Sequence, residues 1–201
     1  LSAKQHKIWL HCGSLSIKTP GSRLANRTVV ISPEGCVVGE YDKINMFDVD
    51  LGNGERYAES ATFAPGKKLT LVTLPWGVMG LTICYDIRFP ALYRSLAQGG
   101  AQMIVVPSAF TVTTGQAHWM VLLRARAIET GCFIFAPAQV GAHSKNRQTF
   151  GHSMIIDPWG RVLAEAKDED NVILAEIDLS LVALARKKIP SFTHDAVYRT
   201  P

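Results

Sequence analysis

The run Gly80-Leu81-Thr82-Ile83-Cys84-Tyr85-Asp86-Ile87-Arg88-Phe89-Pro90 carries a strand into a helix through one short turn. Leu81, Thr82 and Ile83 suit a covered strand, and Pro90 suits a first helical turn, where its missing N–H costs nothing. Cys84 then stands at a strand–turn–helix junction on a sheet edge. Backbone N–H groups at a helix start can stabilise a thiolate and hold an oxyanion. Taken alone, such a segment is more ordinarily a buried structural cysteine.

Working outward, strands are expected at 8–10, 27–31 and 37–41, the last two joined by the turn Ser32-Pro33-Glu34-Gly35. A second pair, 69–74 and 78–83, flanks Pro75-Trp76-Gly77. The helix after Cys84 should run 89–98 and stop at Gly99-Gly100. Short apolar strands follow at 103–106 and 132–136, separated by a helix over 117–129 that Gly131 ends. A hairpin, 153–156 and 162–165, turns on Asp157-Pro158-Trp159-Gly160. A strand at 172–177 and a helix capped by Asp178 or Ser180 and running to about Lys188 complete a single mixed α/β domain.

With 201 residues, 47% of them apolar, the chain can bury a substantial core, and no apolar run is long enough to span a bilayer. The net charge of +4 is scattered, and the cluster Arg186-Lys187-Lys188 falls at a helix end, where it favours the dipole. No nucleic-acid or membrane partner is implied. Cys12, Cys36, Cys84 and Cys132 form no C-x-x-C pair, so neither metal nor disulfides are expected, and a reducing cytoplasm is the default location. No cofactor is called for. Lys43 and Glu59, read alone, are a surface charge and a solvated loop residue.

Six segments read differently together: 41–48 (Tyr-Asp-Lys-Ile-Asn-Met-Phe-Asp), Glu59-Ser60, 81–90, 107–119, 122–130 and 151–160 (Gly-His-Ser-Met-Ile-Ile-Asp-Pro-Trp-Gly). In that order and spacing they resemble the nitrilase, or carbon–nitrogen hydrolase, superfamily across essentially the whole chain. The resemblance implies an α-β-β-α sandwich that pairs into a homodimer, and a Glu–Lys–Cys triad. By position, Cys84 matches its nucleophile, Lys43 its lysine and Glu59 its auxiliary glutamate. The Tyr85 N–H would share an oxyanion hole with the Lys43 ammonium. The family's general-base glutamate lies on an upstream Pro-Glu motif, so about the first quarter of a member, a strand–helix segment, is expected to be lacking here. Glu34 follows a proline but belongs to a hairpin turn and is not expected to replace it. Asn45 stands where relatives commonly carry histidine.

The implied reaction is hydrolysis of a small, carboxylate-bearing amide with release of ammonia through a Cys84 thioester. The stretch from Ala138 to Ser153, with Arg147 and Phe150, is similar to the branch acting on deaminated glutathione. An ω-amidase on α-ketoglutaramate is the alternative. Arg88, Thr114, His118 and Trp119 are candidates for contacting substrate. Thr114 and Gly115 are expected in a loop beside the pocket, and Arg88, Arg124, Arg126 and Glu129 more ordinarily make structural ion pairs. Two rivals stand from other classes: a cysteine–histidine hydrolase using His118 or His152, and a catalytically silent association module.

Overall fold

The computed structural model describes residues 2–52, 54–144, 147–167, 171–194, 196, 197 and 199. A five-residue helix α1 (Ser2–His6) precedes the antiparallel strands β1 (Leu10–Lys18), β2 (Leu24–Ile31) and β3 (Val37–Asp42), which form one sheet. The expected strand at 8–10 is thus corrected: pairing begins at Leu10 and continues for nine residues. Ser32 and Gly35 close the β2–β3 turn, with Gly35 at φ 87°, as its sequence implies. A small ribbon, β4 (Asp48–Asp50) with β5 (Arg56–Ala58), follows.

The second sheet has six strands: β6 (Leu71–Leu74), β7 (Gly77–Leu81), β8 (Met103–Val105), β9 (Phe133–Ala136), β12 (Met154–Ile156) and β13 (Val162–Glu165). Their order is β13-β12-β9-β8-β7-β6. The central three are parallel, and the outer pairs are antiparallel hairpins. Parallel neighbours need crossovers, and right-handed crossovers stepping in one direction put both helices on one face. Those helices are α2 (Pro90–Gln98), begun by Pro90, and the helical run that closes with Gly131 at φ 60°.

That run starts earlier than the sequence suggests. Thr111 caps it, its hydroxyl accepting the Thr114 N–H at 3.3 Å. Then come α3 (Val112–Thr114), a π turn (Gly115–Trp119) and α4 (Met120–Thr130). Thr114 and Gly115 are therefore helical rather than loop. Helices and sheet enclose one core around Tyr93, Leu96, Ile104, Trp119, Leu123 and Ile134. The other face packs against the first sheet through Val30, Tyr41, Leu81, Val105 and Phe133. This gives the α-β-β order, with α1 beyond the first sheet's β2–β3 turn. A hairpin of β10 (Val140–Ser144) and β11 (Arg147–Phe150) stands apart.

The strand expected at 172–177 is absent. Among the described residues its backbone has only the Val172 N–H bonded, to the neighbouring Asn171 side chain at 2.8 Å, and Val172 and Leu174 are exposed. A strand pattern without a ladder partner is not a strand. Helix α5 (Ser180–Lys188) follows, with Asp178 accepting the Ser180 N–H at 2.9 Å. Its Arg186 turns inward, donating to the carbonyls of Thr130 (3.0 Å) and Ala101 (2.6 Å).

Between the sheets, the Thr28 hydroxyl donates to the Cys12 carbonyl at 2.6 Å, so it accepts from His11 Nε2 at 2.6 Å. His11 Nε2 thus carries a proton, and burial beside Met79, Met103, Val105 and Phe135 holds the ring's pKa down at about 4, which keeps it neutral near pH 7. The unfolded chain takes that proton near pH 6.5, whereas the folded chain takes it only near 4. Stability should fall as pH drops through that window, by roughly 3 kcal/mol at most. Denaturant midpoints at pH 7 and 4.5 for wild type and His11→Gln should show the variant with the flatter dependence.

Candidate active site

Strand β7 runs on through Thr82 and Ile83, whose backbone stays extended at φ −138° and ψ 118°. Cys84 then takes φ 49°, the left-handed region that costs a side chain about 1 kcal/mol or more, and opens the 3₁₀ turn Cys84–Arg88. Asp86 fixes this turn. Its Oδ2 accepts the Ile83 N–H (2.9 Å) and the Tyr41 hydroxyl (2.7 Å), while its Oδ1 accepts the Asn45 N–H (3.0 Å) and Nδ2 (2.8 Å). One buried carboxylate thus ties the Cys84 turn to the segment carrying Lys43. Burial pushes its pKa up, and these donors counter the shift.

Lys43 leaves the end of β3 and is only 3% exposed. Its ammonium pairs with Glu59 Oε2, which also accepts the Phe47 N–H at 2.7 Å; Oε1 accepts Asn26 Nδ2 at 2.9 Å. A buried ammonium needs such a partner. The Cys84 N–H is spent on the Pro107 carbonyl at 3.0 Å. The Tyr85 N–H makes no hydrogen bond to another described residue, which leaves it available to an oxyanion.

These groups open into a cavity of about 410 Å³ at the C-terminal ends of the parallel strands. Lys43, Glu59, Cys84, Tyr85 and Thr114 line it together with Tyr57, Phe110, Thr111, Gln139 and Arg147. Arg88, His118 and Trp119, proposed from sequence as substrate contacts, do not line it. Arg88 donates to His118 Nδ1 at 3.2 Å and lies over the rings of Tyr85 and Phe110. Trp119 is fully buried behind Phe110 and donates to the His152 carbonyl at 2.8 Å. An apolar ring inside the helix–sheet core cannot also face a polar cavity.

No histidine lines the cavity among the described residues, so the cysteine–histidine rival has no base beside Cys84: His152 binds Glu165 at 2.8 Å. Glu34 accepts from Ser32 Oγ in its turn and lies outside the lining as well. Arg124 donates to the Gly160 carbonyl, and Arg126 to the Ile87 carbonyl and Glu129, all structural partners. Among the described residues, no group of three or more His, Cys, Asp or Glu is gathered for a metal, and no helix is long and apolar enough to cross a membrane. Gln139 and Arg147 were not proposed as site residues from the sequence. Their hairpin lacks the alternation that would have announced strands.

Hairpin β10–β11 forms one wall. Its Phe150 lies against Gly115, where an added Cβ would come within 2.3 Å of the ring. Gly115→Ala should therefore cost about 1–3 kcal/mol and displace this wall. Thermal unfolding and kcat/KM, measured together, check both consequences.

The carbon–nitrogen hydrolase family model matches residues 1–187. The chain belongs to the carbon–nitrogen hydrolase family. The deaminated glutathione amidase of Dictyostelium discoideum is 44% identical over 197 residues, covering 96% of this chain and 68% of that protein. The crystal structure of the Caenorhabditis elegans NitFhit protein superposes with a TM-score of 0.90 at 43% identity, over 96% of this chain and 48% of that one. Saccharomyces cerevisiae Nit3, a member of branch 10 of the nitrilase superfamily, gives 0.84 at 30% identity, over 94% of this chain and 66% of its own. In this carbon–nitrogen hydrolase the fold is thus the mixed α/β fold of the nitrilases.

Proposed function

We propose that this chain hydrolyses the amide C–N bond of a small, carboxylate-bearing amide through a thioester on Cys84. The observation that carries it is the convergence of Cys84 with the buried Lys43–Glu59 pair in one cavity. The Cys84 sulfur attacks the carbonyl, and the oxyanion forms between the Lys43 ammonium and the Tyr85 N–H. The C–N bond breaks as nitrogen takes a proton, and water then releases the acid and the thiol.

Glu59 holds the Lys43 charge; its oxygens already accept from Lys43, Phe47 and Asn26, so it is ill suited to shuttle protons. The shuttle falls to a group outside the described lining. Deaminated glutathione is the leading substrate because the Dictyostelium amidase bears that name. Its amide nitrogens belong to peptide bonds, so an amine leaves; ammonia leaves only from primary amides such as α-ketoglutaramate, the second candidate. A cytoplasmic homodimer fits this reading. Cys12, Cys36, Cys84 and Cys132 are free thiols, and Val121 and Ile128 expose an apolar stripe one heptad apart on α4.

The test incubates deaminated glutathione, α-ketoglutaramate and simple aliphatic amides with this chain and with the longest native form containing it. Acid products are followed by mass spectrometry, and acid-quenched protein is searched for an acyl group on Cys84. Turnover of a carboxylate-bearing amide with that adduct is expected. No turnover by either form, or turnover with no acylation of Cys84, overturns the proposal.

A further inference from the structure

The cavity is lined by two cations, and they are not equivalent. Lys43 is matched by Glu59, the only carboxylate among the described lining residues. The Arg147 guanidinium makes neither a hydrogen bond nor an ion pair with another described residue. Among the described lining residues one positive charge is therefore left without a matching carboxylate, and it sits on a guanidinium.

The hairpin is built to aim that group. Alternate residues of a strand share a face, so Arg147 and Thr149 look the same way. Thr149 is 5% exposed, bridges to Thr111 in the cavity wall and binds His143 Nε2 at 2.7 Å. The base of the hairpin is fastened on both sides: Gln139 N–H donates to Ser108 and Phe150 N–H to Phe110, each at 2.9 Å. Arg147 shares Thr149's face and, itself exposed, lines the cavity together with Tyr57.

We infer that Arg147 seats the carboxylate of the amide substrate, holding it at the rim while the amide carbonyl lies against Cys84. The inference rests on the amide-hydrolase reading above, and it assigns specificity, not chemistry, to Arg147. A planar guanidinium with all donors free matches a carboxylate in two parallel hydrogen bonds, which a lysine cannot reproduce.

The experiment compares an amide bearing a free carboxylate with its neutral methyl ester. For wild type, Arg147→Gln and Arg147→Lys, kcat/KM is measured on both. Binding of the same pair is measured by calorimetry in the Cys84→Ala background, which needs no turnover. Wild type should prefer the acid. In Arg147→Gln that preference should shrink about 10- to 100-fold, mainly through KM, with the ester changed less than about threefold. Arg147→Lys should recover part of it. An unchanged acid preference in Arg147→Gln, or equal losses on acid and ester, overturns the inference. A lost preference in calorimetry without any amide turnover would uphold the carboxylate seat while sinking the hydrolase reading.

Discussion

Cys84→Ala should lower amide turnover by at least about 10⁴-fold while leaving the melting temperature within a few degrees of wild type. The thiol is half-buried, and no hydrogen bond from its sulfur to another described residue holds the fold. Alanine keeps the backbone N–H that reaches the Pro107 carbonyl, and it can still adopt the left-handed conformation at the same local cost. Cys84→Ser should be nearly as inactive, because a hydroxyl there has no histidine to activate it. Steady-state kinetics and a thermal scan on the same samples decide the matter. Residual turnover above about 1% in the alanine variant would remove Cys84 from the mechanism.

Asp86→Ala should be the most damaging substitution for stability, at about 3–5 kcal/mol. It strips the acceptor from the Tyr41 hydroxyl, the Ile83 N–H and both Asn45 donors, in a region closed to water. Asp86→Asn keeps the shape but presents an NH₂ where donors already converge, so it should recover only part of the loss. Activity should fall further than stability alone explains, because the Cys84 turn and the Lys43 segment lose their common anchor. Denaturant unfolding at matched pH gives the first quantity. Turnover at a temperature where each variant is fully folded gives the second.

The turns that carry proline, glycine or aspartate were legible from sequence because one residue dictates each conformation. Ser32–Gly35 and Asp157–Gly160 stand where expected, whereas the turn at Pro75 and Trp76 ends one residue early because Gly77 already pairs with Leu74 in β7. Strand β1 was not legible: most of its side chains face solvent, so Cys12 to Ser16 shows no apolar alternation. The helical start at Val112 was hidden by Thr113, Thr114 and Gly115, which are poor helix formers and are held there by the Thr111 cap and the packing of Phe150 on Gly115. Residues 172–177 mislead in the opposite sense, since a strand pattern cannot report whether a partner is present. In the site, Cys84, Lys43 and Glu59 could be gathered only through resemblance. Nothing local announces that residues 41 and 25 positions before the cysteine share its cavity. Trp119 was a candidate contact although an aromatic near Cys84 is more ordinarily core filling, and core filling is what its burial shows.

The three parallel strands end at the same rim, and each hands the chain to a different loop: β7 to Cys84, β8 to Phe110 and Thr111, β9 to Gln139 and the hairpin. On the reading proposed above, the reacting cysteine and the arginine that seats the ligand are therefore wired separately. Drift in the hairpin can redirect which amide is accepted without disturbing the reactive turn or the buried strands beneath. A lineage built on this scaffold can diversify its diet while its chemistry stands still.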